Sequence, residues 1–277
     1  MKANAPRNLI AAVVVSTFSL LMLPLVANGA TVTKPPASVG VATSEPLPAA
    51  VANAKFVNEL GKSVTLAGLK GKTVMIVPVL TLCGDTCPFT TGNLLQLQEL
   101  IAKAQSQNIE LVGITVDPFR DTAARLDAYG KLIGLNAASN FQLWTPAGRT
   151  STPMAPMGGS MSQGTGDQNQ NLSAVVKFLG WSIQVVDAMK PAMVDWMTGK
   201  KLTYDISHSD GFWIMDAKQV VRFASGTSPG FTGTIAKKLA TFMGAKSNIY
   251  KVATPAVKGW TPREALEAIS WVVGQPL

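Results

Sequence analysis

Thr73-Val74-Met75-Ile76-Val77-Pro78-Val79-Leu80 is an apolar run with no polar alternation, the pattern of a strand buried on both faces. Beyond it, Leu94, Leu95, Leu97, Leu100 and Ile101 recur near helical spacing. Pro88 stands where a first helical turn tolerates a missing N–H. Glu110 to Val116 is a second apolar strand, ended by Asp117-Pro118. Asp121 is then expected to cap a helix running through Ala124, Leu126 and Tyr129 to Ile133. Upstream, Gly61 to Leu66 and Leu69 to Lys72 read as a hairpin and turn feeding the first of these strands. Such β-α-β-α alternation predicts an α/β fold, with parallel strands, right-handed crossovers and helices on both faces. In sheets of this kind functional residues gather at the carboxyl ends of the strands, where Cys83, Cys87 and Asp117 lie.

The periodicity fails between Pro146 and Asn171, a stretch of Gly, Ser, Thr, Pro, Gln and Met too long for an ordinary connection and expected to be an insertion or mobile loop. A short helix follows through Val175, Val176, Phe178 and Leu179, then a loop around Trp196-Met197-Thr198-Gly199. Tyr204 to His208, Gly211 to Met215 and Gln219 to Phe223 read as strands, and Asp216-Ala217-Lys218 is the turn of a terminal hairpin. Helices at 232–243 and 262–273 close the chain, the latter with Thr261 and Glu264 in capping-box spacing. Trp144, Trp181, Trp196 and Trp213 are expected to serve packing.

The ends and the charge place this domain. After Lys2 and Arg7, Leu9 to Ala27 runs uncharged into Ala27-Asn28-Gly29-Ala30, the pattern of an export signal. Residues 1–30 are thus either a cleaved signal peptide or a retained N-terminal membrane anchor. Residues 31–54, rich in Pro, Ala, Ser and Thr, read as a flexible linker, and 55–277 as a single α/β domain. The formal charge of +8, from 24 Lys and Arg against 16 Asp and Glu, suits an acidic partner or a membrane surface. Scattered basic residues without a basic-aromatic motif, in an exported chain, argue against nucleic acid.

The chemistry concentrates in few residues. Cys83 and Cys87 are the only cysteines and His208 the only histidine. Two thiolates at i and i+4 on one side of a helix end, with an imidazole folded back over them, would make a soft three-ligand set suited to copper. A disulfide between the two cysteines would close too short a loop to add much stability. A strand-to-helix corner instead favours the thiolate, which either binds metal or attacks disulfides. Three intervening residues, where thioredoxin-type catalysts have two, suit chelation at least as well as exchange, and both readings stay open. A peroxidase of the same fold is disfavoured, because the residue three beyond Thr81 is Gly84 where a peroxide pocket needs a cysteine.

The Cys-x-x-x-Cys-Pro box with its internal Asp85, the Val116-Asp117-Pro118 and Arg120-Asp121-Thr122 segments, and His208-Ser209 leading to Ile214 and Asp216 resemble the Sco (SenC) copper-chaperone family in order, from about Phe56 to Met243. The resemblance implies a thioredoxin-like fold, here with a long Gly/Ser/Met-rich insertion and a C-terminal helical extension. It implies one copper ion per domain, Cu(I) or Cu(II), held by Cys83, Cys87 and His208, with Asp117 as a supporting acidic residue near the site. It further implies delivery of copper to the binuclear centre of the copper-bearing subunit of cytochrome c oxidase, reduction of that centre's cysteines, or both. Other copper carriers or thioredoxin-like reductants would be further partners. The metal-free alternative is an exported thiol-disulfide oxidoreductase using the same two cysteines. Gly84 stands where the family usually has proline, and Ser207 where an aspartate often precedes the histidine. Met154, Met157 and Met161, in the insertion, are accessory thioether candidates for Cu(I).

Overall fold

The computed structural model describes residues 32–106, 108–136, 139–148, 169–244 and 250–277. The leader expected at 1–30 and the accessory candidates Met154, Met157 and Met161 lie outside the described residues. Along the chain run β1 (Val41–Pro46), the single turn α1 (Ala49–Ala52), β2 (Phe56–Asn58), β3 (Ser63–Val64), β4 (Thr73–Val79), α2 (Cys87–Lys103), β5 (Ile109–Thr115), α3 (Ala123–Ile133) and β6 (Phe141–Pro146). There follow α4 (Gln170–Leu179), β7 (Ile183–Asp187), β8 (Tyr204–His208), β9 (Phe212–Met215), β10 (Val220–Ser225), β11 (Gly233–Thr234), α5 (Lys237–Phe242), β12 (Lys251–Val252) and α6 (Pro262–Val273). Among the described residues no helix is long and apolar enough to cross a membrane.

The main sheet has the order β1-β10-β9-β4-β5-β6-β2-β3. β4, β5 and β6 are parallel neighbours, and the β9–β10 hairpin joins β4 antiparallel, with Val74 opposite Met215 and Ile76 opposite Trp213. This is the expected α/β arrangement. Every residue of β4 and β5 is buried, because both faces are covered. Val74, Ile76, Val112 and Ile114 point to a layer containing α4, β7 and β8, while Met75, Val77, Val79 and Leu111 point to one containing α2, α3 and α6. Each large aliphatic side chain so buried contributes roughly 1.5–3 kcal/mol, and truncating one to alanine typically costs about 2–5 kcal/mol.

Several details depart from the sequence expectations. Part of the stretch expected as a linker is built into the sheet: β1 pairs with β10, Val41 opposite Ala224 and Pro46 opposite Val220. It lies at an exposed edge, so it shows no apolar alternation, and an edge tolerates Pro46. Gly40 is needed beside it, since a Cβ there would come 2.5 Å from the Ala224 carbonyl oxygen. Strands β6 and β7 were not anticipated. Thr122, rather than Asp121, caps α3, its side chain accepting from the Arg125 N–H. Asp121 is instead buried, accepting from Thr81 N–H and Oγ1 at 3.1 and 2.5 Å and from Thr115 Oγ1 at 2.7 Å. It staples the end of β4 to the end of β5. The expected α6 capping box is present, with Thr261 and Glu264 exchanging bonds.

Candidate metal centre

β4 ends at the floor of the site, and residues 81–86 turn before α2 begins at Cys87. Cys83 therefore lies in the turn rather than on the helix. The two sulfurs approach because the turn folds over the helix start: the N–H groups of Asp85 and Cys87 both reach Cys83 Sγ at 3.4 Å. Pro88 occupies the first helical turn as expected. Three ties hold the turn. Asp121 fixes Thr81 from below, Trp196 Nε1 donates to the Thr81 carbonyl at 2.8 Å, and Thr86 Oγ1 donates to Asp210 at 3.0 Å.

His208 arrives from a different layer. It ends β8, which pairs not with the main sheet but with β7, Ile183 opposite His208. Beyond it Ser209 closes a turn onto Ser182, its N–H donating to the Ser182 carbonyl and its Oγ accepting from the Ser182 N–H at 2.7 Å. Asp210 then bridges Thr86 of the cysteine turn and Ser228, whose Oγ donates at 2.7 Å. The strand thus delivers the imidazole, and Asp210 locks that delivery to the cysteine turn.

The result is a cluster in which Cys83, Cys87 and His208 present ligand atoms all within 4.8 Å of one another. His208 Nε2 lies 3.2 Å from Cys87 Sγ. Its Nδ1 is 2.8 Å from the Ser209 carbonyl oxygen, which can only accept, so in the neutral ring Nδ1 carries the proton and the Nε2 lone pair faces the sulfurs. Both cysteines are free and buried.

The two thiols are electrostatically unequal. Cys83 is held well below the ordinary thiol value, at about 5, chiefly by the hydrogen bond from the Cys87 thiol. Burial opposes this, while His208 and the Cys87 backbone N–H assist it. Cys87 is pushed up, first by burial and then by the hydrogen bond and charge of Cys83, with Asp210 adding to the effect. Burial alone would lower His208, but the Cys83 thiolate, the Ser209 carbonyl and Asp210 outweigh it and raise the imidazole. Of the two thiols Cys83 is therefore the more readily ionised, with Cys87 and His208 beside it in a largely buried cluster.

Asp117 is buried, and its side chain accepts from the Tyr204 hydroxyl at 3.0 Å and from Arg120. Arg120 also donates to the Tyr204 carbonyl at 2.9 Å and lies 3.8 Å over the Tyr204 ring. Its place in the fold is thus to anchor the start of β8, whose far end carries His208. Trp144, Trp181, Trp196 and Trp213 all serve packing: their rings pair with Phe56, Trp213, Tyr129 and Trp181 respectively. Asp210 is a contributor the sequence did not assign, and Trp196, expected only to pack, also holds the Thr81 carbonyl. An acidic residue two places after the lone histidine was the available signal for the first; nothing local marked the second.

Comparison with known proteins gives a consistent result. Residues 45–140 match the SCO1/SenC family model. A SCO1 protein homolog of Bacillus subtilis (strain 168) is 30% identical over 105 residues, 38% of this chain and 52% of the relative, so the chain spans about half of that relative's length in the match. Among solved structures, the chain is similar to copper-bound ScoI of Arabidopsis thaliana, with 16% identity over 67% of this chain and 88% of that one and a TM-score of 0.43. It is also similar to copper-bound yeast Sco1, with 17% identity over 68% and 80% and a TM-score of 0.43.

Proposed function

We propose, from the premise that residues 45–140 make this chain a member of the SCO1/SenC family, that it is an exported copper carrier holding one copper ion through Cys83, Cys87 and His208. The observation that carries this is the convergence of two sulfurs and an imidazole nitrogen within 4.8 Å in a buried pocket. Thiolates select Cu(I), imidazole accepts either oxidation state, and a three-donor set leaves the ion transferable. The chain's own groups prepare the site. The N–H groups of Asp85 and Cys87 favour the Cys83 thiolate, the Ser209 carbonyl holds the His208 tautomer, and Cys87 releases its proton when the ion arrives. Asp117, through Tyr204, supports the histidine arm. The cargo is destined for the binuclear copper centre of cytochrome c oxidase. The leader pattern at 1–30, which carries the proposal of export, leaves the domain secreted or tethered outside the cytoplasm, and 55–277 holds the whole copper site.

A second reading rests on the inequality of the thiols. A thiolate at Cys83 beside a protonated Cys87 is the arrangement of an attacking and a resolving thiol. The same centre could then reduce the oxidase cysteines with or without metal. Metal analysis of the reduced, copper-loaded protein separates the readings. The copper reading expects one tightly held ion per chain and strong thiolate-to-copper charge-transfer bands with Cu(II). Absence of those bands in a folded, reduced sample leaves the metal-free oxidoreductase.

A further inference from the structure

The turn between the two cysteines touches a third sulfur. Gly84 has no side chain, and a Cβ built there would meet Met193 Sδ at 2.5 Å and the Met193 methyl at 2.9 Å, with the Met189 methyl at 3.8 Å. The Met193 thioether therefore lies directly against the backbone of the residue following Cys83. Its neighbourhood is fixed rather than loose. Leu202 N–H donates to the Met193 carbonyl at 2.8 Å, and Val194 bridges Lys201. Asp195 forms a two-pronged ion pair with Arg125 of α3 at 2.9 and 2.7 Å, and Trp196 bonds Thr81. Met193 is partly buried against the cluster of Leu82, Leu202 and Phe242, while Met189 is 52% exposed. A half-buried thioether beside the cysteines, with an exposed one just outside it, makes a gradient of soft donors from solvent to the pocket.

We propose that Met189 and Met193 form a thioether entry step through which Cu(I) reaches the cysteine–histidine centre. This inference rests on the copper reading above and assigns the route by which that ion enters. The transfer is a ligand exchange: a bond from copper to Met193 Sδ breaks as one to Cys83 Sγ forms, copper remains Cu(I), and the Cys87 thiol proton leaves to water as Cys87 Sγ in turn binds the ion. Thioethers suit this step because they bind Cu(I) without a proton to displace and more weakly than thiolates, so the ion moves inward. The absence of a side chain at position 84 is what lets the thioether sit there.

The test uses the full-length reduced chain labelled with methyl-13C methionine, with Cu(I) supplied as its bicinchoninic acid complex. The Met193 methyl resonance, assigned with Met193→Leu, should shift or broaden below one equivalent of Cu(I). It should still respond in a Cys83→Ser/Cys87→Ser double variant, where the ion stops at the thioethers. Met193→Leu keeps the packing volume and should slow Cu(I) capture on the order of tenfold, the lower end of what outer contributors to metal sites are worth, with the final occupancy unchanged. Gly84→Ala provides an independent arm, because its Cβ pushes aside the flexible end of Met193 rather than backbone, and it should slow capture similarly. A Met193 methyl that never responds, together with an unchanged capture rate in both variants, overturns the entry step while tight copper uptake survives. Failure of the wild-type chain to take up copper tightly would instead defeat the copper reading, and this inference with it.

Discussion

The candidate metal centre joins two regions that are held in different ways. The cysteine arm extends from β4, a strand buried on both faces and flanked by β5 and β9, and its turn is braced by Asp121 beneath and by the start of α2. The histidine arm comes from β8, which among the described residues has only β7 as a strand partner and lies across one face of the main sheet. The cysteine arm is positioned by the core itself. The histidine arm buries Tyr204 and Ile206 in the same core and is further held by polar ties: Asp117 through Tyr204 at its beginning and Asp210 at its end. Both arms are thus seated by packing, and hydrogen bonds that can be removed one at a time set how they meet.

The largest effect is expected where the 193–202 turn meets the core. Arg125 and Asp195 form a buried pair, so Asp195→Ala leaves an uncompensated guanidinium and should cost about 3–5 kcal/mol in chemical denaturation. A loss under ~1 kcal/mol, as for an exposed pair, would mean the turn is not an integral part of the fold.

Next comes the third ligand. His208→Ala should weaken Cu(II) binding by more than the roughly 10–100-fold typical of an outer contributor, and Cu(I) binding less, since two thiolates still suit the softer ion. Equal losses for both oxidation states, measured by chelator competition, would erase the proposed distinction between the arms. Asp210→Ala releases Thr86 and Ser228 and removes a carboxylate that helps raise Cys87 and His208, and should cost roughly 10-fold in copper affinity with little change in stability. Copper affinity unchanged in this variant would show that the arms stay together without it.

The division also governs what the sequence revealed. Cys83, Cys87, Pro88 and the strands at 73–80 and 110–116 were readable because the core writes itself as apolar runs and the site as rare residue types. That His208 meets Cys87, 121 residues away, was implied by family resemblance and by the scarcity of alternatives rather than by any local pattern. Its strand was recognised, but its partner was not. Ile183 and Val185 are buried and Gln184 exposed, an alternation too short to stand out beside an irregular loop. β1 stayed hidden because an exposed edge strand needs no apolar face, and Asp121 was mistaken for a cap because capping and tertiary stapling use the same acceptor.

The smallest expected effect is on the cysteine side. Burial, with the nearby charge of Asp117, raises Asp121 to about 6 despite the hydrogen bonds from Thr81 and Thr115. A carboxyl raised on folding contributes stability that is fully present below its unfolded value, near pH 4, and lost as the pH rises through about 6. Asp121→Asn should remove this slope, on the order of 1–2 kcal/mol between pH 4 and 7, from the pH dependence of the denaturation midpoint. The same slope in variant and wild type would assign it elsewhere.

Packing and hydrogen bonding bring Cys83, Cys87 and His208 together, and they are proposed to act as one copper site. X-ray absorption at the copper edge, on reduced protein carrying one Cu(II) per chain, tests this directly. The predicted spectrum shows two sulfur donors and an imidazole, and the imidazole signature disappears in His208→Ala. A spectrum of nitrogen and oxygen donors without sulfur, or an imidazole signature that persists in the variant, would contradict it.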